Sequence, residues 1–335
     1  MNLTINEIAR LAGVSKGTVS KVLNNYSGIN EKTRERVQKV VKQMGYERNS
    51  AAQALALKRT GIIGLLVPHD PDHSLDGDYW SALVTAVTGE ATMTGYNVVL
   101  LMPKREGNLE ELFSSITRKR QLDGLIIIAE ILDKKHLATL ISSDTPFVML
   151  GRNPDFTHHA VDIDNRAAAR EMTQYMLDHA YKKILFVAGP EEFYYSKERQ
   201  AGYSDAMSKA GNYQAHVYLP YYDRQEMRLG LKTAIETHKP DSVLIGAGGG
   251  FMFDALATLK EMALKAPKFG IATFDDYRYL DFLSIPITAV RQPIAEIGHA
   301  SVQLLAKLIS SPPAGTSQNV LLNTSIVSRK SCREP

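Results

Sequence analysis

Along the first sixty residues, apolar positions recur every three or four residues in short segments, which predicts a group of small helices. The first segment begins after Thr4, whose hydroxyl can cap a helix, and it breaks at Gly13. The second begins at Ser15. The third begins after Asn30 and ends at Gly45, since asparagine caps helix starts and glycine ends helices. Two short helices joined across a glycine are typical of a helix-turn-helix.

From Gly61 onward, the pattern changes to short apolar runs separated by longer amphipathic stretches. This alternation is typical of α/β proteins, in which helices cover both faces of parallel sheets. The units are too many for one modest sheet, so we predict two doubly wound α/β subdomains behind an all-α head. In such folds, ligands bind beyond the carboxyl ends of the strands. The predicted strands are 62–67, 98–102, 125–129, 147–150, 184–188, 243–247, 271–274 and 320–327, and the predicted helices include 80–94, 166–179, 251–262 and 294–310.

The composition is that of a globular protein, with 44% apolar and 22% charged residues in a chain of 335. No apolar run reaches the roughly 18 residues that a membrane span needs. No signal peptide is visible, and the single cysteine, Cys332, fits a reducing compartment. We therefore expect a cytoplasmic protein without a membrane partner.

Charge is unevenly distributed along the chain. Residues 1–60 contain eleven Lys and Arg against four acidic residues, so this head carries +7. Because the whole chain carries +3, the remaining residues carry −4. A basic module on an acidic body indicates a polyanionic partner for the module alone, and a basic solvated surface is the alternative.

The second predicted helix would lie in the major groove of DNA, as the second helix of a helix-turn-helix does. Lys16 can approach guanine O6 and N7, whereas hydroxyl and amide side chains bond phosphates. Gly17 offers no side chain to read a base. The pattern alone leaves open a helix-turn-helix used only for packing. The exposed residues of this helix are Ser15, Lys16, Gly17, Thr18, Ser20, Lys21 and Asn24.

The head resembles the LacI/GalR family of bacterial regulators, and the resemblance extends to the end of the chain. It implies a transcription regulator, most simply a repressor, that binds a palindromic double-stranded operator as a homodimer. Lys16, Gly17 and Lys21 stand where the family chooses the operator sequence. The matching segments are TINEIARLAGVS (4–15), TVS (18–20), VLN (22–24), EKTRERV (31–37), GY (45–46) and NTSIVSRKSC (323–332). The family's phosphate contacts fall on Ser15, Thr18, Ser20, Asn24, Thr33, Tyr46 and Asn49.

The resemblance also implies a hinge helix at 50–58 that folds in the minor groove, with Lys58 at its end among the DNA-binding residues. Leu55 matches the apolar wedge pushed between central base pairs, and an ordinary linker leucine is the alternative. Glu47-Arg48 departs from the family's proline before Asn49. The implied domains are a head at 1–49, a hinge at 50–60 and a body at 61–335, with subdomains of 61–161 plus 292–319 and of 162–291 plus 320–335.

The body is similar to periplasmic sugar-binding proteins, which implies a small effector, a sugar or sugar derivative, held between the subdomains. Each candidate has a structural alternative: a core aromatic, an ion pair or a turn residue. The family's Asn-Asp pair is replaced by Gly248-Gly249, so the ligand would be bulkier there or held through backbone amides. The candidate effector-binding residues are Tyr79, Trp80, Asp164, Arg199, Gly248 and Asp275.

Four other interpretations of the chain have less support from the sequence. The loop His69-Asp70-Pro71-Asp72-His73 fits no established metal spacing, so no metal site is predicted. The glycine run at 248–250 lacks the Lys-Ser/Thr of a phosphate loop, and no cofactor is predicted. No catalytic constellation stands out, so an enzyme is not expected. A sugar transport receptor remains the alternative function, which the basic head opposes.

Overall fold

The structure is a computed structural model that describes residues 4–23, 26–46, 59–67, 78–102, 109–119, 121–129, 134–154, 157–220, 223–248, 251–311 and 317–334. The chain divides into two compact units, Met1–Thr60 and Gly61–Pro335. Within the described residues, none of the helices combines the length and the apolarity needed to cross a membrane.

The described part of the head contains α1 (Ile5–Ala12), α2 (Lys16–Leu23) and α3 (Glu31–Gln43). Each helix turns one apolar stripe inward, and the three stripes form a small core. Its buried members are Ile8, Ala9, Ala12, Val19, Val22 and Val37.

The predicted helix starts are confirmed by capping hydrogen bonds. The Thr4 hydroxyl accepts from Glu7 N at 3.4 Å, and Glu7 Oε2 in return accepts from Thr4 N at 2.7 Å. Thr18 N donates to Ser15 Oγ at 3.1 Å, and Lys32 N donates to the Asn30 carbonyl oxygen Oδ1 at 3.0 Å. These bonds satisfy backbone groups that have no partner inside a helix, so they define where each helix begins.

The body is built on two six-stranded sheets. The first has the order β11-β5-β4-β3-β1-β2 and the second β12-β10-β9-β8-β6-β7. The first-sheet strands are β1 (Ile62–Leu66), β2 (Asn97–Leu101), β3 (Gly124–Ile128), β4 (Phe147–Leu150), β5 (Ala160–Ile163) and β11 (Asn319–Leu322). The second-sheet strands are β6 (Ile184–Ala188), β7 (Ala215–Tyr218), β8 (Ser242–Ile245), β9 (Gly270–Phe274), β10 (Thr288–Arg291) and β12 (Ser325–Val327).

Helices cover both faces of each sheet. On the first sheet, α4 and α11 line one apolar core and α5 and α6 the other. On the second, α9 and α10 line one core and α7 and α8 the other. These helices are α4 (Asp78–Met93), α5 (Leu109–Lys119), α6 (Lys134–Ser142), α7 (Asn165–Asp178), α8 (Tyr194–Lys209), α9 (Arg224–His238), α10 (Phe251–Glu261) and α11 (Ile294–Ser310).

The chain passes between the sheets at three crossovers: from β5 to α7, from β10 to α11, and from β11 to β12. The single strand predicted at 320–327 is therefore wrong. It is two strands, of which β11 pairs in parallel with β5 and β12 pairs antiparallel with β10. The polar residues Asn323 and Thr324 mark the break, and β12 supplies the one antiparallel pairing among the described strands.

Candidate functional site

The outer face of α2 carries the polar residues predicted to meet DNA, while its inner face is buried in the head core. Ser15 and Thr18 also have a structural task, because their hydroxyls lie 2.9 Å apart and Ser15 caps the helix. They therefore present hydroxyls whose positions are fixed before any contact with phosphate. Ser15, Lys16, Gly17 and Lys21 are exposed, and Thr18 and Ser20 are half-buried.

The charged and small residues of α2 are not required by the fold. In the described part of the head, Arg34 pairs with Glu31 at 3.6 Å, whereas neither Lys16 nor Lys21 forms an ion pair. A Cβ placed at Gly17 would meet only Ser15 Oγ, at the ordinary distance of 3.6 Å. Lys16, Gly17 and Lys21 can thus meet a partner without loss of internal contacts.

The other predicted DNA-binding residues divide between described and undescribed segments. Thr33 is half-buried in the first turn of α3, and Tyr46 packs against the head core with its ring partly exposed. The predicted hinge helix lies outside the described residues. So do Asn24, Asn49, Leu55 and Lys58, and their assignments stay predictions.

Arg199 lies in the second turn of α8, beyond the carboxyl end of β6, with only 5% of its surface exposed. Its guanidinium carbon is 4.0 Å from the centre of the Phe274 ring and 4.9 Å from that of Tyr195. Nε donates to the Asn165 carbonyl Oδ1 at 2.8 Å, and Nη1 donates to Gly246 O at 2.7 Å. Nη2 bonds to no described residue, so it is the nitrogen left to donate to a ligand.

Asp275 follows β9 in the left-handed backbone region, with φ of 67°. Its carboxylate accepts from Gln292 Nε2 at 2.5 Å and from the Tyr277 hydroxyl at 3.0 Å. The turn-forming alternative and the binding role are compatible here, because the turn aims the carboxylate beyond the strand end. Two donors hold the carboxylate in one orientation, which leaves its remaining lone pairs to accept from a ligand hydroxyl.

The surroundings of Gly248 explain why the first side chain of the family's Asn-Asp pair is missing. Its φ is 70°, and a Cβ there would lie 2.1 Å from Asp275 Oδ2. The carboxylate of Asp275 thus fills the space in which a side chain at 248 would stand. Gly248 shapes the site by making room for Asp275, and its neighbours 249–250 lie outside the described residues.

Tyr79 and Trp80 lie in the first turn of α4, the helix that follows β1 in the chain. Their rings meet edge to face, with centroids 5.0 Å apart. Trp80 packs against a core of the first sheet, whereas Tyr79 packs against cores of both sheets. Trp80 therefore has a packing role as well, and Tyr79 is the aromatic residue that lies between the sheets.

Asp164 acts as the N-cap of α7, with Oδ1 accepting from Ala167 N at 2.9 Å. This capping bond gives it a structural role. The neighbouring Asn165, rather than Asp164, contacts Arg199.

The sequence interpretation missed three polar residues near this site: Arg152, Asp162 and Gln292. Asp162 is the third residue of β5, and Arg152 Nε lies 3.3 Å from its Oδ2. Burial raises the pKa of the Asp162 carboxyl above its usual range, and the Arg152 guanidinium opposes that rise. The signal that could have identified Asp162 is a charged residue inside an otherwise apolar strand.

Two family models together match nearly the whole chain. Residues 4–49 match the model of bacterial regulatory proteins of the lacI family. Residues 60–328 match the model of periplasmic binding proteins and the sugar binding domain of the LacI family. The chain belongs to the LacI family. It is a transcription regulator with a helix-turn-helix head, as the sequence predicted.

Individual relatives of this LacI-family chain agree over its full length. It is 27% identical to the HTH-type transcriptional regulator CelR of Thermobifida fusca, with 92% of each chain covered. It is 29% identical to catabolite control protein A of Streptococcus mutans, with 95% of each covered. It also resembles the structure of the lac repressor dimer bound to operator and the anti-inducer ONPF, with a TM-score of 0.82, 23% identity and all of both chains covered.

The predicted fold class is confirmed by these matches, since a LacI-type head precedes two largely parallel α/β sheets. The alternative of a sugar transport receptor is not supported. Residues 4–49 match regulatory proteins, and the full-length relatives are transcription regulators.

Proposed function

We propose that this LacI-family regulator is a repressor of sugar-utilisation genes whose operator binding is controlled by a sugar or sugar derivative. The observation that carries the proposal is the pair of fixed polar groups on the second sheet, Arg199 and Asp275. Both lie beyond carboxyl ends of parallel strands, where such folds bind ligands. Tyr79, between the two sheets, adds an aromatic face for a sugar ring.

The ligand chemistry follows from these groups. Arg199 donates, the Asp275 carboxylate accepts, and both are held in place by protein hydrogen bonds. A molecule with several hydroxyl groups satisfies donors and acceptors alike, which a purely apolar or a purely anionic ligand does not. The matched family domain is described as sugar binding, which agrees with this reading.

For the DNA side, we propose that α2 enters the major groove and that Lys16, Gly17 and Lys21 choose the sequence. The hydroxyls of Ser15, Thr18 and Ser20, together with Thr33 and Tyr46, would hold phosphates. The segment 50–60 would be a hinge between head and body, with Leu55 as its wedge and Lys58 at its end.

A homodimer is supported by apolar side chains that remain exposed on the body. A soluble monomer rarely leaves large apolar side chains grouped on its surface. A second copy of the chain would cover them and bring two heads to the two halves of a palindrome. Among the described residues of the body, the exposed apolar side chains include Val99, Leu100, Met102, Leu229, Phe253 and Phe282.

We further propose that the chain acts by binding rather than by catalysis, and that it works at the nucleoid in the cytoplasm. Its full-length relatives are regulators of transcription, which supports both statements. The three crossovers between the sheets would be the points at which the two subdomains move relative to each other.

The experiment is a selection followed by a binding screen with the full chain. Random double-stranded DNA is selected against the protein, and thermal unfolding is then recorded with single monosaccharides and disaccharides. We expect a palindromic consensus and at least one sugar that raises the unfolding midpoint. A sugar present at about 100 times its Kd would add about 2.7 kcal/mol. A non-palindromic consensus would overturn the dimeric operator, and stabilisation by no sugar would overturn the effector class.

A further inference from the structure

The first crossover between the sheets carries a hydrogen bond that spans it. β5 of the first sheet ends at Ile163, and α7, which covers the second sheet, begins at Asn165. Asn165 Nδ2 donates to Asp162 Oδ1 at 3.2 Å, and these two residues stand on either side of the crossing. The bond therefore joins one sheet to the helical layer of the other.

Asn165 is also hydrogen-bonded to Arg199. Its amide oxygen accepts from Arg199 Nε at 2.8 Å while its amide nitrogen donates to Asp162. A guanidinium only donates and a carboxylate only accepts, so the orientation of the amide is fixed. Asn165 has only 2% of its surface exposed, and water cannot readily replace either partner. This position requires a side chain with one donor and one acceptor.

Arg152 completes a closed ring of contacts through Asp162, Asn165, Arg199 and Glu198, which we call the circuit. Its backbone N donates to Asp162 Oδ2 at 3.1 Å, and its Nε lies 3.3 Å from the same oxygen. Its Nη2 lies 3.8 Å from Oε2 of Glu198, the residue before Arg199 on α8. Arg152 belongs to the first sheet's side and Glu198 to the second's, so two contacts cross between the sheets next to Arg199.

We propose that Asp162 and Asn165 are positioning residues that orient Arg199, so that the geometry of the first crossover sets the direction of its guanidinium. The proposal rests on the proposed role of Arg199 in holding the effector. A change in the angle between the sheets alters the Asp162–Asn165 bond and thereby the hold on Arg199 Nε. By thermodynamic linkage, a ligand that binds Arg199 in this orientation stabilises the crossover geometry in which the Asp162–Asn165 and Asn165–Arg199 bonds are formed.

The test follows the Nε–H group of Arg199 by nitrogen-15 NMR of the full chain, with no sugar and no DNA. The signal is assigned by its loss in Arg199→Lys. Asp162→Asn keeps the shape of the side chain, but an amide cannot accept on both sides, so either Arg152 or Asn165 loses its acceptor. Hydrogen exchange of Arg199 Nε–H should become about tenfold faster, although residue 162 does not touch Arg199.

Asp205→Asn is the matched control on the same two helices. It breaks the exposed pair in which Arg166 Nε lies 2.7 Å from Asp205 Oδ2. Exchange at Arg199 should be unchanged in this variant. Equal acceleration in both variants would overturn the proposal, because it would report general loosening of α7 and α8. Unchanged exchange in a folded Asp162→Asn protein would overturn it as well.

If Asp162→Asn does not fold, Glu198→Gln provides the same test from the other side of the circuit. It removes one charge at the crossing contact and leaves the buried carboxylate in place. Exchange should then rise by about threefold, as for loss of a partly exposed ion pair. No rise would contradict the circuit. Because no ligand takes part, a failure of the sugar proposal appears only in the binding screen and is distinguishable from a failure here.

Discussion

The two surfaces proposed to bind DNA and the effector are built in opposite ways. On α2 of the head, Lys16, Gly17 and Lys21 are exposed and contribute little to the fold. In the body, Arg199 is buried and bonded to two other residues, and Asp275 is held by two donors. The residues proposed to read DNA are thus independent of one another, whereas those proposed to bind the effector are interlocked.

This contrast follows from what each surface has to contact. DNA is a large, wet and charged partner, so exposed side chains suffice and can be exchanged without unfolding the head. A small ligand offers few contacts, so its site gains from groups that are already oriented. In the body, function and stability should therefore change together, whereas in the head they should separate. Five substitutions test this difference, and they follow in decreasing order of their predicted effect.

Arg199→Ala should lower the free energy of unfolding by about 3 kcal/mol, because Asn165 Oδ1 and Gly246 O lose their donor. The sugar response should disappear while operator binding survives below the unfolding temperature. Urea unfolding and operator titration measure the two effects. Arg166→Ala, which removes an exposed pair, serves as the control and should cost less than about 0.5 kcal/mol. Equal losses of unfolding free energy in both variants would contradict the view that the bonds of Arg199 stabilise the body.

Gly248→Ala should lower the free energy of unfolding by about 2 kcal/mol. The new methyl group would clash with the Asp275 carboxylate, and a residue with a side chain is also strained in the left-handed backbone region. Gly211→Ala isolates the strain alone, because Gly211 has φ of 66° and a Cβ there would meet nothing within 4 Å. Gly211→Ala should lower the free energy of unfolding by about 1 kcal/mol. Thermal unfolding gives both values, and a difference of zero would show that Asp275 moves aside freely.

Lys16→Ala and Lys21→Ala should leave stability within about 0.5 kcal/mol of the parent. Each should weaken specific operator binding by about tenfold, through loss of a base or phosphate contact. Fluorescence anisotropy on the selected operator provides the measurement. Lys260→Ala, an exposed lysine of the body, should leave affinity unchanged. Loss of stability in the head variants would remove the contrast between the two surfaces.

Gly17→Ala should change stability only slightly and in the favourable direction, by about 0.5 kcal/mol, because alanine suits a helix better than glycine. Its methyl group has room beside Ser15 Oγ. A repeated DNA selection should show an altered preference at one base position in each half-site. An unchanged consensus would mean that residue 17 does not approach a base edge.

Local features of the fold were predictable from the sequence, and long-range ones were not. Thr4, Ser15 and Asn30 indicate helix starts in the sequence, because a capping side chain bonds to a backbone N–H only two or three residues ahead. The strands β5, β7 and β10 were missed because each has only four residues and includes polar positions. Two strands were merged at 320–327 because only the two residues Asn323 and Thr324 separate them.

The candidate site shows the same limit. The resemblance to a family identified Arg199 and Asp275 by position, but their partners lie far away in sequence. Gly246, which accepts from Arg199, is 47 residues away, and Gln292, which donates to Asp275, is 17 residues away. Only the folded sheets bring these groups together. For the same reason, the space that Gly248 leaves for Asp275 could not be inferred from a missing side chain.

A sugar bound in the body is expected to change how tightly the head holds DNA. The most direct measurement is the Kd of the full chain for its selected operator, with and without a sugar that raises the unfolding midpoint. We predict a change of about tenfold in either direction, which corresponds to a coupling free energy of about 1.4 kcal/mol. The same operator Kd in the presence of a saturating, stabilising sugar would contradict the account.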